Sequence, residues 1–245
     1  MTAPVLPATL DMTGKQVLVT GAASGIGKAT ALVLAQLGAS LLLTDRDPLD
    51  DTMAGITTPC RAEIGDLTED AFLDHLFAGS RVHAMAHCAA ILDGRDWRRD
   101  PAWRERFHRV MDINVRVPLD LTMRAIDHMA GHGGGHIALV GSVAGKTGGT
   151  SVNTPPDYSA SKGAVHALVK WTSRMGIGHG VMVNAVAPGP VETPMTRGSN
   201  LGPNLPLGRM GHASELAWPI AFLCTAGASY LSGAILDVNG GAFVG

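Results

Sequence analysis

"LVTGAASGIGKAT", residues 18–30, places Gly21, Gly25 and Gly27 between a short apolar run and a helical pattern. A flexible turn is one interpretation of these glycines. In the other, Gly21 permits a tight turn, Gly25 lets a pyrophosphate approach the backbone, and Gly27 lets the helix pack against the strand. The start of a helix favours phosphate because its N–H groups are free and its dipole end is positive. Since the spacing G-x-x-x-G-x-G differs from the dinucleotide fingerprint G-x-G-x-x-G, the glycines alone leave both interpretations open.

Short apolar runs alternate with longer helical patterns along the whole chain. The predicted strands are Gln16–Thr20, Ser40–Thr44, Arg61–Ile64, Val82–His87, His136–Gly141, Val181–Val186 and Ile235–Val238. The predicted helices are Gly25–Leu37, Thr68–Ala78, Pro101–Met129, Tyr158–Met175 and Ala213–Thr225. Runs such as "LLL" lack polar alternation, which is typical of strands buried on both faces of a parallel sheet. The pattern predicts an α/β fold, a doubly wound parallel sheet of about seven strands, in one domain over residues 1–245.

The composition limits the classes of function. Of 245 residues, 46% are hydrophobic and 16% are charged, and the net charge of -2 gives no reason to expect nucleic acid or an anionic membrane as partner. The cysteines and histidines have neither metal-ligand nor disulfide spacing, so no metal is predicted. The N-terminal "MTAPVLPATLDMTGKQ" lacks the basic and apolar regions of a signal peptide. We therefore expect a cytoplasmic protein that acts on a small molecule.

An acidic residue ends the second predicted strand. Asp45 lies 24 residues after Gly21 in "LLLTDRD". A carboxylate at this position can accept hydrogen bonds from both adenosine ribose hydroxyls, and it repels a 2′-phosphate. The alternative is that Asp45 only caps the strand end. The neighbouring Arg46 has a guanidinium that can bind phosphate, yet the pattern favours NAD over NADP.

Two motifs together resemble those of the short-chain dehydrogenase/reductase family. They are T-G-x-x-x-G-x-G at Thr20–Gly27 and Y-x-x-x-K at Tyr158–Lys162. Further landmarks agree in order and spacing, namely Asp66, Asn114 in "DINV", Ser142 in "VGSVAG", "VNAVAPGPVETPM" at Val183–Met195, and "LDVNGG". The resemblance covers nearly the whole chain and implies the compact branch of the family, with a Rossmann-like fold.

The resemblance implies a set of four catalytic residues. Tyr158 is expected to act as general acid/base, and Lys162, one helical turn later, to lower the pKa of Tyr158 and hold the nicotinamide ribose. Ser142 is expected to hydrogen-bond the substrate oxygen, and Asn114 to anchor a proton-relay water. The alternative for Y-x-x-x-K alone is an ordinary pair on a helix surface.

The resemblance also implies the residues that hold NAD. Asp66 and Leu67 are expected to contact adenine, with a helix N-cap at Asp66 as the alternative, and Thr193 is expected to bind the nicotinamide carboxamide. The full cofactor set is Gly21, Ser24, Gly25, Ile26, Gly27, Asp45, Arg46, Asp66, Leu67, Ala89, Ala90, Tyr158, Lys162, Pro188, Gly189, Val191 and Thr193.

The chain departs from the family pattern in two places. His87-Cys88-Ala89-Ala90 stands where the family usually has Asn-Asn-Ala-Gly. Ala90 allows a less close approach of the cofactor than glycine, and His87 is predicted to be structural or adjacent to the cofactor. Ser142 and Tyr158 are also further apart than usual, because extra residues fall in "GGTSVNTPPD".

The predicted function is NAD-dependent interconversion of a secondary alcohol and a ketone. Two alternatives are a cis-dihydrodiol dehydrogenase of the same family and a cofactor-binding protein without turnover. The resemblance implies a homotetramer built through the helices predicted at Pro101–Met129 and Tyr158–Met175, the second with a stripe of Val165, Leu168, Val169 and Thr172.

A short substrate lid is predicted at about residues 190–206. Its segment "TRGSNLGPNL" contains two glycines, a proline and two asparagines, which disfavour a stable helix. We therefore expect an irregular lid over an open pocket that admits bulky or ring-containing substrates. The remaining walls are predicted at Val143–Thr154, Ile91–Trp97 and the C-terminal "GAFVG", with Trp97 and Trp103 as candidate substrate contacts and helix packing favoured for Trp103.

Overall fold

The computed structural model describes residues 7–79, 81–149, 154–199 and 201–245. Its strands are β1 (Gln16–Thr20), β2 (Ser40–Asp45), β3 (Cys60–Ile64), β4 (Ala84–His87), β5 (Gly135–Val140), β6 (Val181–Pro188), β7 (Val191–Glu192), β8 (Gly211–His212) and β9 (Ile235–Val238). Its α-helices are α1 (Gly25–Gln36), α2 (Asp50–Met53), α3 (Asp70–Phe77), α4 (Trp103–Met111), α5 (Val117–Ala130), α6 (Ala144–Thr147), α7 (Pro156–Ile177) and α8 (Ala213–Leu223).

Seven strands form one parallel sheet in the order β3-β2-β1-β4-β5-β6-β9. The order reverses between β1 and β4, which pair in parallel from Val17–Ala84 to Thr20–His87. Ligands of open α/β sheets bind in the crevice at the carboxyl ends of the strands where this reversal occurs. The predicted α/β class and the seven main strands are confirmed, and β7 and β8 form a separate two-stranded pair that the sequence did not indicate.

Helices cover both faces of the sheet and bury both sides of each central strand. On one face, Val17 and Val19 of β1 pack in a core with Leu34 of α1 and Ile220 of α8. On the other face, Leu18 packs with side chains of α3, α5 and α7. Because successive strand side chains point to opposite faces, burial on both faces explains why the strands read as unbroken apolar runs.

The long helix predicted at Pro101–Met129 is instead interrupted by a π-helical turn. Helix α4 ends at Met111, the π turn spans Asp112–Arg116, and α5 begins at Val117. Pro118 lacks an N–H and therefore cannot donate the α-helical hydrogen bond to the carbonyl of Asn114, four residues earlier. Single π turns often occur at functional sites, and this one carries Asn114.

Helix α7 carries a different outer face from the predicted one. Val165, Val169 and Thr172 are at most 2% exposed and pack within the protein's own core, so the predicted interface stripe is wrong for these three residues. Trp171 and Met175 lie on the outer surface instead. The apolar spacing could not separate the two faces, because a helix beside a sheet buries one apolar face even without a partner subunit. None of the helices in the described ranges is long and apolar enough to cross a membrane.

Candidate active site

The three glycines after β1 are required by the packing of the chain itself. A Cβ on Gly21, whose φ is +66°, would lie 2.7 Å from the backbone nitrogen of Ala89 on the neighbouring strand's loop. A Cβ on Gly27 would lie 2.0 Å from the carbonyl oxygen of Gly21. Gly25 has a φ of +53° and faces the methyl group of Thr193. These contacts bring the backbone at the start of α1 to the edge of the crevice, where a phosphate would meet its free N–H groups.

A groove of about 1100 Å³ runs along the carboxyl ends of β1, β2 and β4. It passes the N-terminus of α1 at one end and Asp66 at the other. Most of the predicted cofactor residues line it, namely Gly21, Ser24, Gly25, Ile26, Gly27, Asp45, Arg46, Asp66, Leu67, Ala89, Ala90 and Thr193. Tyr158, Lys162, Pro188, Gly189 and Val191 lie in an adjoining pocket of about 330 Å³ that also contains Ile26, Ala90 and Thr193.

Asp45 holds the glycine loop and still has acceptor capacity. Its carboxylate accepts hydrogen bonds from the backbone N–H of Ala23 at 2.9 Å and of Asp47 at 3.2 Å. A carboxylate offers about four lone-pair positions, so two remain for donors in the groove. Asp45 therefore fits both alternatives from the sequence, since it organises the strand end and faces the groove.

Asp66 forms a turn rather than a helix cap. Its Oδ1 accepts from the backbone N–H and from the hydroxyl of Thr68, both at 2.8 Å, and these hydrogen bonds lower the pKa of Asp66. Helix α3 begins only at Asp70, so the predicted N-cap at Asp66 is wrong. The turn keeps Asp66 and Leu67 at the end of the groove.

Tyr158, Ser142 and Lys162 meet where the groove joins the smaller pocket. Tyr158 and Lys162 lie one turn apart on α7, and Ser142 follows β5. The ammonium of Lys162 is 3% exposed, lies 5.7 Å from the centroid of the Tyr158 ring, and donates to the carbonyl of Val140 at 2.8 Å. Ser142 hydrogen-bonds Tyr158 and accepts from the backbone N–H of Ala144 at 3.1 Å. The three side chains predicted to be catalytic are thus brought together by β5 and α7.

The pKa of Tyr158 departs from the sequence prediction. Burial raises the pKa of the Tyr158 phenol, and the hydrogen bond with Ser142 only partly opposes this. Burial also lowers the pKa of Lys162 to about 8. The predicted lowering of the Tyr158 pKa is therefore not found in the chain by itself, because the Lys162 ammonium is directed at the Val140 carbonyl and its own burial weakens its charge.

Asn114 is held between two parts of the site. Its amide nitrogen donates to the carbonyl of Ile91 at 2.9 Å and to the hydroxyl of Ser161 at 3.1 Å, and its Oδ1 accepts from the N–H of Ile91. Both amide hydrogens are used, so the predicted water would have to be held by the Asn114 carbonyl, to which Pro118 cannot donate.

The smaller pocket has one wall from the lid and one from the loop after β4. Leu92, Gly94, Val143 and Thr154 line it, as the predicted wall segments imply, although residues 150–153 of the segment lie outside the described residues. Trp97 is not among the described residues that line either cavity; its ring packs on Trp103 at 5.6 Å. The C-terminal segment is also not among them, and its Phe243 lies against Lys146.

The described part of the lid is irregular. Short 3₁₀ turns span Pro194–Thr196 and Gly202–Asn204, and residue 200 lies outside the described residues. Met195, Ser199 and Leu201 line the pocket. Sequence reasoning expected no stable helix here, and the described residues form none longer than these turns.

A buried charged cluster beside Tyr158 escaped the sequence analysis. Arg106 of α4, 5% exposed, contacts Asp100 at 2.8 Å and the carboxylate of Asp157 at 3.7 Å. The same Arg106 lies 3.7 Å from Asp93, and Asp157 accepts a hydrogen bond from the backbone N–H of Tyr158 at 3.0 Å. No motif signalled the cluster, because its members come from separate segments and meet only in the folded chain.

A family model described as enoyl-(acyl carrier protein) reductase matches residues 21–242. The chain belongs to the short-chain dehydrogenase/reductase family.

Two curated members of this family illustrate the likeness in sequence. The 3-oxoacyl-(acyl-carrier-protein) reductase of Thermotoga maritima is 32% identical over 95% of this chain and 99% of its own. The galactitol 2-dehydrogenase of Cereibacter sphaeroides is 35% identical over 91% of this chain and 92% of its own.

The structural likeness to other short-chain dehydrogenases/reductases is equally extensive. The crystal structure of a candidate 2-deoxy-D-gluconate 3-dehydrogenase from Agrobacterium tumefaciens, with bound NADP, superimposes with a TM-score of 0.88 at 28% identity. The match covers 96% of this chain and 99% of that one. The family is one of oxidoreductases that bind a nicotinamide cofactor, and the groove beside α1 of this short-chain dehydrogenase/reductase has the glycine cradle for such a group.

The departure from the family pattern after β4 is filled by a buried histidine. His87 is 4% exposed, and its Nδ1 shares a hydrogen bond with the hydroxyl of Thr20 at 2.8 Å. Burial, helped by the charge of Lys162, lowers the pKa of His87 to about 3. A neutral His87 thus joins β4 to β1 directly beneath the glycine loop, which agrees with the structural role predicted for it.

Proposed function

We propose that this short-chain dehydrogenase/reductase interconverts a secondary alcohol and a ketone, with NAD preferred as cofactor and Tyr158 as general acid/base. The observation that carries the proposal is the convergence of Ser142, Tyr158 and Lys162 at the junction of the two cavities. One cavity has the length and the glycine cradle for a dinucleotide, and the other is an adjoining pocket for a small substrate.

The chain's own residues supply binding and proton transfer. A bound nicotinamide dinucleotide would supply or accept the hydride. Ser142 orients the substrate oxygen by hydrogen bonding. The Tyr158 hydroxyl, at the same point, gives that oxygen a proton in the reductive direction and removes it in the oxidative direction. The Lys162 ammonium favours the phenolate when Tyr158 has lost its proton. The Asn114 carbonyl in the π turn is the candidate holder of a water that replaces this proton.

The preference for NAD rests on Asp45. Its carboxylate lines the groove and keeps two acceptor positions for the hydroxyls of an adenosine ribose. A 2′-phosphate would be placed beside this negative charge. Arg46 lines the same groove and opposes that repulsion, and the Agrobacterium neighbour carries NADP, so the preference is a ratio to be measured.

The test is a panel of secondary alcohols, ketones and cis-dihydrodiols assayed with NAD(H) and NADP(H) by the absorbance of the reduced nicotinamide. We expect turnover of alcohol/ketone pairs, and Tyr158→Phe should lower kcat by roughly 10²–10⁴-fold while cofactor binding is retained. Oxidation by the wild type should rise with pH towards the pKa of Tyr158, and the Phe variant should lose that slope.

Three outcomes separate the alternatives. Full turnover by Tyr158→Phe would exclude Tyr158 as the acid/base. Activity confined to cis-dihydrodiols, with an aromatic product, would favour the dihydrodiol alternative. Cofactor binding by calorimetry without turnover of any panel member would favour a binding protein.

A further inference from the structure

The far end of the substrate pocket is lined by apolar side chains from four segments. Leu92 comes from the loop after β4, Val143 follows β5, Pro155 precedes α7, and Met195 and Leu201 belong to the lid. The lid hydroxyls nearby already donate to backbone carbonyls, Thr196 to Val191 at 2.5 Å and Ser199 to Thr196 at 2.6 Å. This end of the pocket therefore favours burial of hydrocarbon over capture of a polar group.

The pocket has little positive charge for an anionic substrate. Lys162 is the one charged side chain among the described residues that line it, and its ammonium is bound to the Val140 carbonyl at the catalytic end. The segments outside the described residues, 150–153 and 200, read Thr-Ser-Val-Asn and Asn, which carry no charge. A carboxylate that entered the far end would lose its hydration without gaining a cation.

The charged groups immediately behind the pocket have an excess of negative charge. Asp93, Asp100 and Asp157 surround Arg106, and Arg95 pairs with Asp93 and Asp100. Three carboxylates thus face two guanidiniums, and both guanidiniums are already paired. Asp93 lies between Leu92 and Gly94, both of which line the pocket. The field of this cluster opposes a second anion in the pocket.

We propose that the pocket selects an uncharged, largely apolar carbonyl compound or alcohol and rejects substrates that carry a carboxylate or phosphate near the reacting carbon. The proposal rests on the function proposed above and names its substrate class. It separates this chain from relatives whose names specify an acyl-carrier-protein or a gluconate substrate.

The test compares two ketones of nearly equal size that differ in charge. One is a cyclohexanone with a carboxylate across the ring from the ketone, and the other is its methyl ester. We expect kcat/KM for the ester to exceed that for the acid at least about 100-fold, since the unpaired carboxylate must be desolvated. An aryl ketone acid and its methyl ester repeat the comparison on a flat ring.

A pair of variants then tests whether missing positive charge is the cause. Leu201→Arg places a cation on the pocket side of the lid, and it should lower the ester-to-acid ratio at least about tenfold. Leu207→Arg is the matched control, because Leu207 is 61% exposed and is not among the described residues lining the pocket. It adds the same charge and should leave the ratio unchanged.

The outcomes distinguish this proposal from the proposed function. If no carbonyl compound of either kind is reduced with NADH or NADPH, the proposed function fails. The charge preference is then measured as the shift in Tm that each compound gives to the cofactor-loaded protein. In either measurement, an acid that equals or exceeds its ester overturns the substrate class, as does an equal change of the ratio in the two arginine variants.

Discussion

At the scale of single residues, Asp45 has two tasks that a substitution can separate. Its carboxylate accepts from the Ala23 N–H of the glycine loop, and it faces the groove where an adenosine ribose would lie. Asparagine keeps an acceptor for Ala23 but loses the charge, whereas alanine loses both. The two variants therefore distinguish repulsion of a phosphate from organisation of the loop.

We predict that the wild type prefers NAD over NADP by about 30- to 1,000-fold in kcat/KM, from roughly 2–4 kcal/mol of lost hydrogen bonds and added repulsion. Asp45→Asn should narrow this ratio by removing the repulsion. Asp45→Ala should narrow it as well and also weaken NAD binding. Steady-state kinetics with both cofactors measure the ratio, and equal values for the wild type would show that Asp45 does not set the preference.

At the scale of elements, the lid is short because little chain separates β7 from β8. Between Glu192 and Gly211 the described residues form only 3₁₀ turns, since glycine and proline recur in this stretch. The lid nevertheless contributes Met195 and Leu201 to the pocket wall. A pocket covered by so few residues should stay open at one side.

We predict that a series of ketones of increasing size shows no steep fall in kcat/KM from acyclic to cyclic and aryl members. The physical reason is that bulky groups can extend past the lid without displacing a packed helix. Kinetics across the series at fixed cofactor concentration provide the measurement. A strong preference for the smallest ketones, with ring compounds unreactive, would contradict the open pocket.

At the scale of the whole molecule, exposed apolar side chains indicate where copies of the chain would associate. Trp171, Met175 and Ile177 on α7 are 45–57% exposed, although the rest of that helix is packed in the core. We predict a homotetramer, about four times the 25.4 kDa chain mass. Light scattering at micromolar concentration tests it, and Trp171→Glu should lower the mass by placing a charge in the contact. A monomer mass for the wild type would contradict the prediction.

Buried histidines set the response of the whole molecule to acid. Burial lowers the pKa of His87 to about 3 and that of His166 to about 4. Both folded-state pKa values lie below the unfolded value near 6.5. The stability from these neutral histidines is therefore fully present above about pH 6.5 and is lost as the pH falls towards the folded-state values.

We predict that lowering the pH from 7 to 5 costs about 2 kcal/mol of unfolding free energy for each of the two histidines. Carboxylates contribute little in this window, because their unfolded pKa values are near 4. Urea unfolding at both pH values measures the loss. His166→Gln should reduce it by about half, and an unchanged loss in that variant would show that His166 does not titrate on unfolding.

The sequence by itself determined the features that depend on local pattern. Apolar runs buried on both faces predicted the parallel sheet, and the glycines after β1 predicted a loop that only glycine can form, as the 2.0 Å approach to the Gly21 carbonyl explains. The motif around Tyr158 and Lys162 predicted which residues meet, because i and i+4 positions share one face of a helix.

Only the tertiary structure decided the features that depend on contacts between distant segments. Burial, not spacing, gives the raised Tyr158 pKa and directs Lys162 to Val140. The ion cluster around Arg106 joins residues that are up to 64 positions apart, as Asp93 and Asp157 are. The inward face of α7 was likewise hidden, because a sequence shows that a face is apolar but not which surface covers it.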